Sequence, residues 1–181
     1  MSNTDEKVIE LSKKKIFLSI IGCIAFVGVG VWMLSLDQAT IEAQRKLNSP
    51  LIVYGIGLVA IVFFGYVGIL HFKKMFNSKP GLIFNCTGIV DNSSGVSAGL
   101  IPWSEIVGAY IYEIKRSKML IIKVEKPEKY LERGGVMKKV LNNSNYKMCG
   151  SPIAISSTTL KINFPDLLIL FEQYYQKYNN A

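Results

Sequence analysis

Apolar positions divide the chain into two regions of different texture. Residues 16–36 read IFLSIIGCIAFVGVGVWMLSL and residues 51–70 read LIVYGIGLVAIVFFGYVGIL, and neither run contains Asp, Glu, Lys, Arg or His. At about 1.5 Å of rise per residue, each run forms a helix of roughly 30 Å, the thickness of a bilayer's hydrocarbon core. Each Leu, Ile, Val or Phe near a span centre favours insertion by about 0.3–0.6 kcal/mol, which outweighs the few Ser and Tyr present. The pattern therefore predicts two transmembrane helices. The first run is longer than the roughly 7–15 residues of a signal-peptide core and lacks a small-x-small cleavage site, so it reads as an uncleaved span.

From Gly81 onward the apolar runs are short and separated by turn signals. Residues 82–84 and 89–91 flank Asn85-Cys86-Thr87-Gly88 and predict a hairpin in which Gly88 takes positive φ. Residues 107–114 and 119–124 predict a second hairpin, with Leu120, Ile122 and Val124 alternating onto one face. A short strand is expected at 100–103, and further strands at 152–155 and 159–162. Residues 127–141 allow two readings, a short helix broken at Gly134-Gly135 or a mobile excursion. Tyr130, at the start of that excursion, is a candidate exposed binding aromatic. The chain closes on a helix with Asn163 as N-cap and with Pro165 and Asp166 in its first turn. Its apolar face, Leu167, Phe171, Tyr174 and Tyr178, must cover a sheet or open barrel.

Charge orients these elements. Lys7, Lys13, Lys14 and Lys15 precede the first span, and Lys73, Lys74 and Lys79 follow the second. The connector has only Arg45 and Lys46, offset by Asp37 and Glu42. Because positive residues mark the cytoplasmic side, both termini are expected there, in the inner membrane of a bacterium. Trp32 and Tyr54 then fall near the outer interface, and the lysines at 13–15, 73, 74 and 79 anchor the helix ends at headgroups. Gly57, Ala60, Gly65 and Gly68 offer small surfaces for helix packing, in the hairpin or in a homo-oligomer. The expected layout is a basic tail (1–15), spans at 16–36 and 51–70 around an external connector (37–50), a linker (71–80) and a cytoplasmic domain (81–181).

The whole chain carries a net charge of +8. A basic domain beside an anionic leaflet gains roughly 1 kcal/mol per cation held at the surface, which makes anionic lipid a natural partner. No recognition helix, zinc spacing or aromatic RNA-binding motif accompanies the charge, so nucleic acid is not expected. Cys23, Cys86 and Cys149 form no CxxC or Cys/His pattern, and no metal or cofactor is expected. Gly95-Val-Ser97-Ala-Gly99 matches the nucleophile elbow by letter, but Leu-Ile-Pro-Trp follows where a helix should begin, and the only histidine, His71, lies upstream. Gly55-Ile-Gly57-Leu-Val-Ala60 imitates a dinucleotide fingerprint inside a span, without a βαβ setting. No ionisable group lies at membrane depth, which argues against a transporter. An enzyme is not expected.

Short strands closed by an amphipathic helix resemble the bacterial version of the pleckstrin-homology fold, with Trp103 expected in the sheet core. Two spans, Lys79-Pro-Gly-Leu82, Asp91-Asn-Ser-Ser94, Ile101-Pro-Trp103, Gly150-Ser-Pro-Ile153 and a Leu/Tyr-rich last helix together resemble a family of small, largely uncharacterised bacterial inner-membrane proteins. The resemblance implies a membrane α-helical hairpin plus an α+β domain, with an antiparallel sheet or open barrel capped by a C-terminal helix. It also implies a non-enzymatic binding or scaffolding role toward an unknown protein partner or anionic lipid. Residues 85–87 supply none of the basic groups through which eukaryotic relatives hold phosphoinositides. A second functional class, a membrane-resident immunity protein that neutralises a toxin, is compatible with the same layout.

Overall fold

A computed structural model describes residues 5–44, 47–115 and 117–179. Arg45 and Lys46 of the connector and Arg116 of the second expected hairpin lie outside the described residues. The chain forms two compact units, one over Lys13–Asn77 and one that combines the segment ending at Ser12 with Ser78–Ala181.

The helical unit consists of α1 (Lys13–Ser35), α2 (Gln38–Glu42) and α3 (Pro50–Met75). Pro50 sits at the start of α3, where a missing N–H costs nothing. The antiparallel helices α1 and α3 approach most closely at two glycines. A Cβ on Gly30 would lie 2.8 Å from the Gly57 carbonyl oxygen, and one on Gly57 would lie 3.0 Å from that of Gly30. Phe26 stacks on Phe64 at 4.3 Å, and the Tyr54 hydroxyl donates to the Leu36 carbonyl at 2.7 Å. In the connector, Asp37 caps α2 by accepting from the Thr40 N–H, and Ile41 is fully buried. Both long helices are long and apolar enough to cross a membrane. Only 17% of the most apolar window of α1 and 11% of that of α3 is buried, unlike the core helices of a water-soluble protein.

The second unit is α+β, with two antiparallel sheets. The first runs β1-β2-β3-β4, from β1 (Lys7–Ile9), β2 (Leu82–Asn85), β3 (Gly88–Asp91) and β4 (Gly99–Pro102). The second runs β5-β6-β7, from β5 (Ile106–Ile114), β6 (Ser117–Val124) and β7 (Ile153–Ser156). Between β6 and β7 lie α4 (Glu128–Leu131) and α5 (Val136–Cys149), and α6 (Phe164–Asn179) ends the unit. Both expected hairpins form. At the first, Asn85 Oδ1 accepts from the Thr87 and Gly88 N–H groups. Gly88 has φ of +156°, and a Cβ there would collide with the Ile101 carbonyl.

Four expectations are corrected. Residues 7–9 are not part of a free tail: Lys7, Val8 and Ile9 pair with Phe84, Ile83 and Leu82 as the edge of the first sheet. The folded unit therefore begins before the helical hairpin, because alternating Ile9 and Leu11 bury their side chains while Val8 stays exposed. Residues 159–162 do not return to the second sheet; Leu160 bridges to Leu11, and the Lys161 N–H donates to the Glu10 carbonyl. Trp103 leaves the strand, which ends at Pro102, and opens a 3₁₀ turn, Trp103–Glu105. Ile121 is as buried as Leu120 and Ile122, so both faces of β6 are covered; α6 packs against β6 and α5 against β7. The excursion is helical on both sides of its Gly134-Gly135 break, and Gly150, at φ +67°, closes α5 in the left-handed conformation.

Two predictions follow from this arrangement. A chain lacking residues 1–12 exposes the backbone edge of β2 and uncovers Leu160, so it should unfold at lower temperature and aggregate in a thermal melt of the detergent-purified protein. Gly57→Leu should destabilise the helical hairpin by about 1–3 kcal/mol in detergent unfolding, whereas Gly65→Leu, into open space, should change it by less than about 0.5 kcal/mol.

Candidate interaction site

The core that supports any binding surface is aromatic. Trp103 is buried, and its indole N–H donates to the Asn85 carbonyl at 2.8 Å. Around it lie Phe84, Phe171, Tyr174 and Tyr178, with ring centres 6.3–6.4 Å away. Leu167 and Phe171 are buried and Tyr174 is half-buried, so the expected face of α6 is the one that packs. Asn163 caps α6 by accepting from the Asp166 N–H at 2.8 Å, while its amide donates back to the Asp166 carboxylate. At the other end of α6, Lys177 and Tyr178 both donate to the Asp5 carboxylate and hold it below the usual carboxylate range.

A polar clamp fixes the excursion to the β3–β4 loop. Buried Asp91 accepts from the Ser93 N–H at 2.8 Å, the Ser93 hydroxyl at 2.6 Å and the Ala98 N–H at 2.9 Å, which sets the loop's shape. Arg133 then donates to the Ala98 carbonyl at 2.6 Å, and Lys138 to that of Ser97 at 2.7 Å. Tyr130 is not exposed: it is 98% buried, its hydroxyl donates to Glu105 at 2.7 Å, and the Arg133 guanidinium lies 4.2 Å over its ring. Hydrogen bonds from Lys129 and then Tyr130 hold the Glu105 carboxyl below its ordinary 4.5. Burial, with the Glu105 contact second, raises the Tyr130 hydroxyl. Sequence patterning missed this clamp because its partners are 24 to 41 residues apart. Ser97 is absorbed into the same loop, where its hydroxyl donates to the Ser94 carbonyl and accepts from the Ser94 N–H, rather than standing on a strand-to-helix elbow.

An open groove of about 600 Å³ runs between β1 and α6, with Lys7, Glu10, Lys161, Asp166, Ile169 and Leu170 along it. Lys161 and Glu10 pair across it at 2.6 Å. Its two cations and two carboxylates balance, and exposed Val8 and Ile169 add apolar surface. Among the described residues β1 has a strand partner on one edge only. These features fit a mixed polar and apolar protein segment better than an anion.

The other expected site residues lie on the helical unit and its flanks. Lys13, Lys14 and Lys15 form the exposed first turn of α1. Cations there oppose the helix dipole by about 0.3–1 kcal/mol each, so their placement does not serve the helix itself. Lys73 and Lys74 lie in the last turn of α3, where the dipole favours them, and Lys79 lies in the segment before β2. Trp32 is exposed near the end of α1, and Tyr54 ties α3 to the end of that helix. Gly57, Ala60 and Gly68 face α1; Gly65 has no neighbour where a Cβ would stand and lines an apolar surface groove instead. Gly30, the other half of the close approach, was not singled out by sequence because it belongs to no small-residue motif with Gly57. His71 stands on α3 with Nδ1 2.9 Å from the Val67 carbonyl.

No protein-family model, curated protein or solved structure matches this chain.

The clamp generates a pH prediction. Because the Glu105 carboxyl is depressed, its contribution to stability is fully present above 4.5 and is lost as the pH falls through its folded value. Glu105→Gln should lower stability at neutral pH by about 1–2 kcal/mol, and the gap from the native chain should narrow as the pH falls below 4.5 in urea unfolding followed by tryptophan fluorescence.

Proposed function

We propose that this protein is a non-enzymatic binding or scaffolding module of pleckstrin-homology-like fold, tethered at the cytoplasmic face of a bacterial inner membrane and engaging a protein partner or anionic lipid. The observation that carries this reading is the β1–β2 ladder. Its two strands lie on either side of the helical hairpin in sequence, so both ends of the hairpin must emerge on the same side of any membrane it enters. Two spans, an even number, meet that requirement, and one does not.

Other features point the same way. The apolar faces of α1 and α3 are largely exposed, which water penalises and a bilayer's hydrocarbon does not. The lysines at 13–15 and 73, 74 and 79 gather at the ends joined to the folded unit, which supports a cytoplasmic position for that unit, and headgroup phosphates offset the helix-dipole penalty at the start of α1. A four-stranded and a three-stranded antiparallel sheet with a C-terminal helix support the pleckstrin-homology-like assignment. The charge-balanced groove beside β1 and α6 is the seat best suited to a protein segment, and tethering raises its effective concentration so that weak contacts suffice.

One experiment in intact cells tests position and binding together. Ser49→Cys, in the connector, should react with a membrane-impermeant maleimide from outside, whereas native Cys86, exposed on the β2–β3 turn, should react only after permeabilisation. A photo-crosslinker placed at Ile169 should trap a protein adduct that one at exposed Lys118 does not. Labelling of Cys86 from outside overturns the topology, and equal trapping at both positions removes the groove as the seat.

A further inference from the structure

Helix α5 presents an apolar stripe that nothing in its own unit covers. Asn142 and Cys149 are buried and mark its packing face. On the opposite face Val136 is 81%, Val140 53%, Met137 45% and Met148 55% exposed. At about 100° per residue these four side chains fall within one arc of about 120°. Lys147 and Ser144 lie inside that arc and Lys139 about 60° outside it; all three are exposed, while Lys138 is turned toward the β3–β4 loop. The sequence VMKKVLNNSNYKMC contains three lysines and no carboxylate. Low overall hydrophobicity, a one-sided apolar stripe and unbalanced positive charge at its edge are the properties of a helix that lies in the plane of an anionic lipid surface.

From this face we infer that α5 docks on the anionic headgroup layer, inserting Val136, Met137, Val140 and Met148 to the depth of the acyl-chain boundary while Lys139 and Lys147 reach the phosphates. The inference rests on the tethered reading above and names the surface by which that reading meets lipid. The occupant is a lipid surface rather than a protein groove on two grounds. The charged residues of α5 itself are all of one sign, in contrast to the balanced groove beside β1. In addition, only three residues separate β1 from α1 and six separate α3 from β2, so the two spans deliver this unit to a headgroup layer already within reach. Four exposed apolar side chains are too few to hold a free domain on a membrane alone, but a tethered one needs no more.

The test uses the full chain in a Cys86→Ser background, with Cys23 and Cys149 buried. A polarity-sensitive fluorophore is placed at Val140→Cys, at Lys118→Cys on the β5–β6 hairpin, or at Ile24→Cys on the exposed face of α1. Each protein is reconstituted into vesicles of phosphatidylcholine alone or mixed equally with phosphatidylglycerol, then quenched by acrylamide or by nitroxide-bearing lipid. At position 140, the mixed vesicles should shield the label from acrylamide and expose it to the nitroxide lipid. Two lysines at the surface favour the docked state in anionic over neutral vesicles by roughly thirtyfold. Position 118 should remain open to acrylamide in both. The inference is overturned if position 140 is as open as 118 in the mixed vesicles, if it is shielded from acrylamide but beyond the nitroxide (a protein covers it), or if neutral vesicles shield it equally. Position 24 separates the two levels: a label reached by nitroxide lipid there, with 140 in water, leaves the tethered reading standing without the docking helix, and a label in water at 24 overturns both.

Discussion

The ladder that joins Lys7–Ile9 to β2 sets the conditions for the rest of the chain. It connects residues more than seventy positions apart, with the whole helical unit between them, and a contact of that span carries a large loop-closure cost unless the intervening chain is already organised. The α1–α3 hairpin provides that organisation, because its packing is antiparallel in the same sense. Partner numbers add to 91 at Ile9–Leu82 in the sheet and again at Cys23–Gly68 in the helices. Both pairings run antiparallel, each within its own unit. The hairpin is an insertion in sequence within the folded domain.

What the sequence reveals and what it conceals divides along the same line. The two long helices, both β-hairpins and the cap of α6 are written in local signals: uninterrupted apolar runs, Asn and Gly at turn positions, and Asn163 three residues before Asp166. The missed features all depend on distant partners. Residues 7–9 alternate over only three positions inside a lysine-bearing segment, too short to read as a strand until Leu82–Phe84 is placed beside them. Thr159–Ile162 looks like a strand, yet it is drawn to Leu11 and Glu10 rather than to β7. Tyr130 is polar-flanked and begins a loop-like stretch; its hydroxyl is held by Glu105, 25 residues away, while Arg133, about one helical turn further on, lies over its ring. Ile121 breaks the expected alternation because distant parts of the chain bury both faces of β6.

The polar contacts in the folded unit hold its loops and helices in place. Asp91, Ser97, Arg133 and Lys138 bond backbone groups of one loop, the Ser93 hydroxyl bonds the Asp91 carboxylate, and the charged pairs at Glu105 and Asp5 fasten α4 and the N-terminal segment. The same commitments explain why the excursion between β6 and β7 is ordered even though its sequence is polar and glycine-broken. They hold α5 in a fixed orientation, and the orientation determines which of its faces is left to solvent.

That last step links architecture to binding energetics. A domain hung on a single flexible linker loses considerable rotational freedom when it docks, and small contacts seldom recover that loss. Here, on the proposed topology, two chain crossings of three and six residues leave the folded unit at its first strand and re-enter at its second. Such a double connection removes much of the rotational freedom in advance, at the cost of forming the ladder once during folding. Surfaces that would be negligible on a free domain, a charge-balanced groove beside an edge strand and a four-residue apolar stripe with two lysines, then become sufficient in energy. On the proposed reading, it is the insertion of the hairpin between β1 and β2, rather than attachment before the domain, that lets weak binding surfaces suffice.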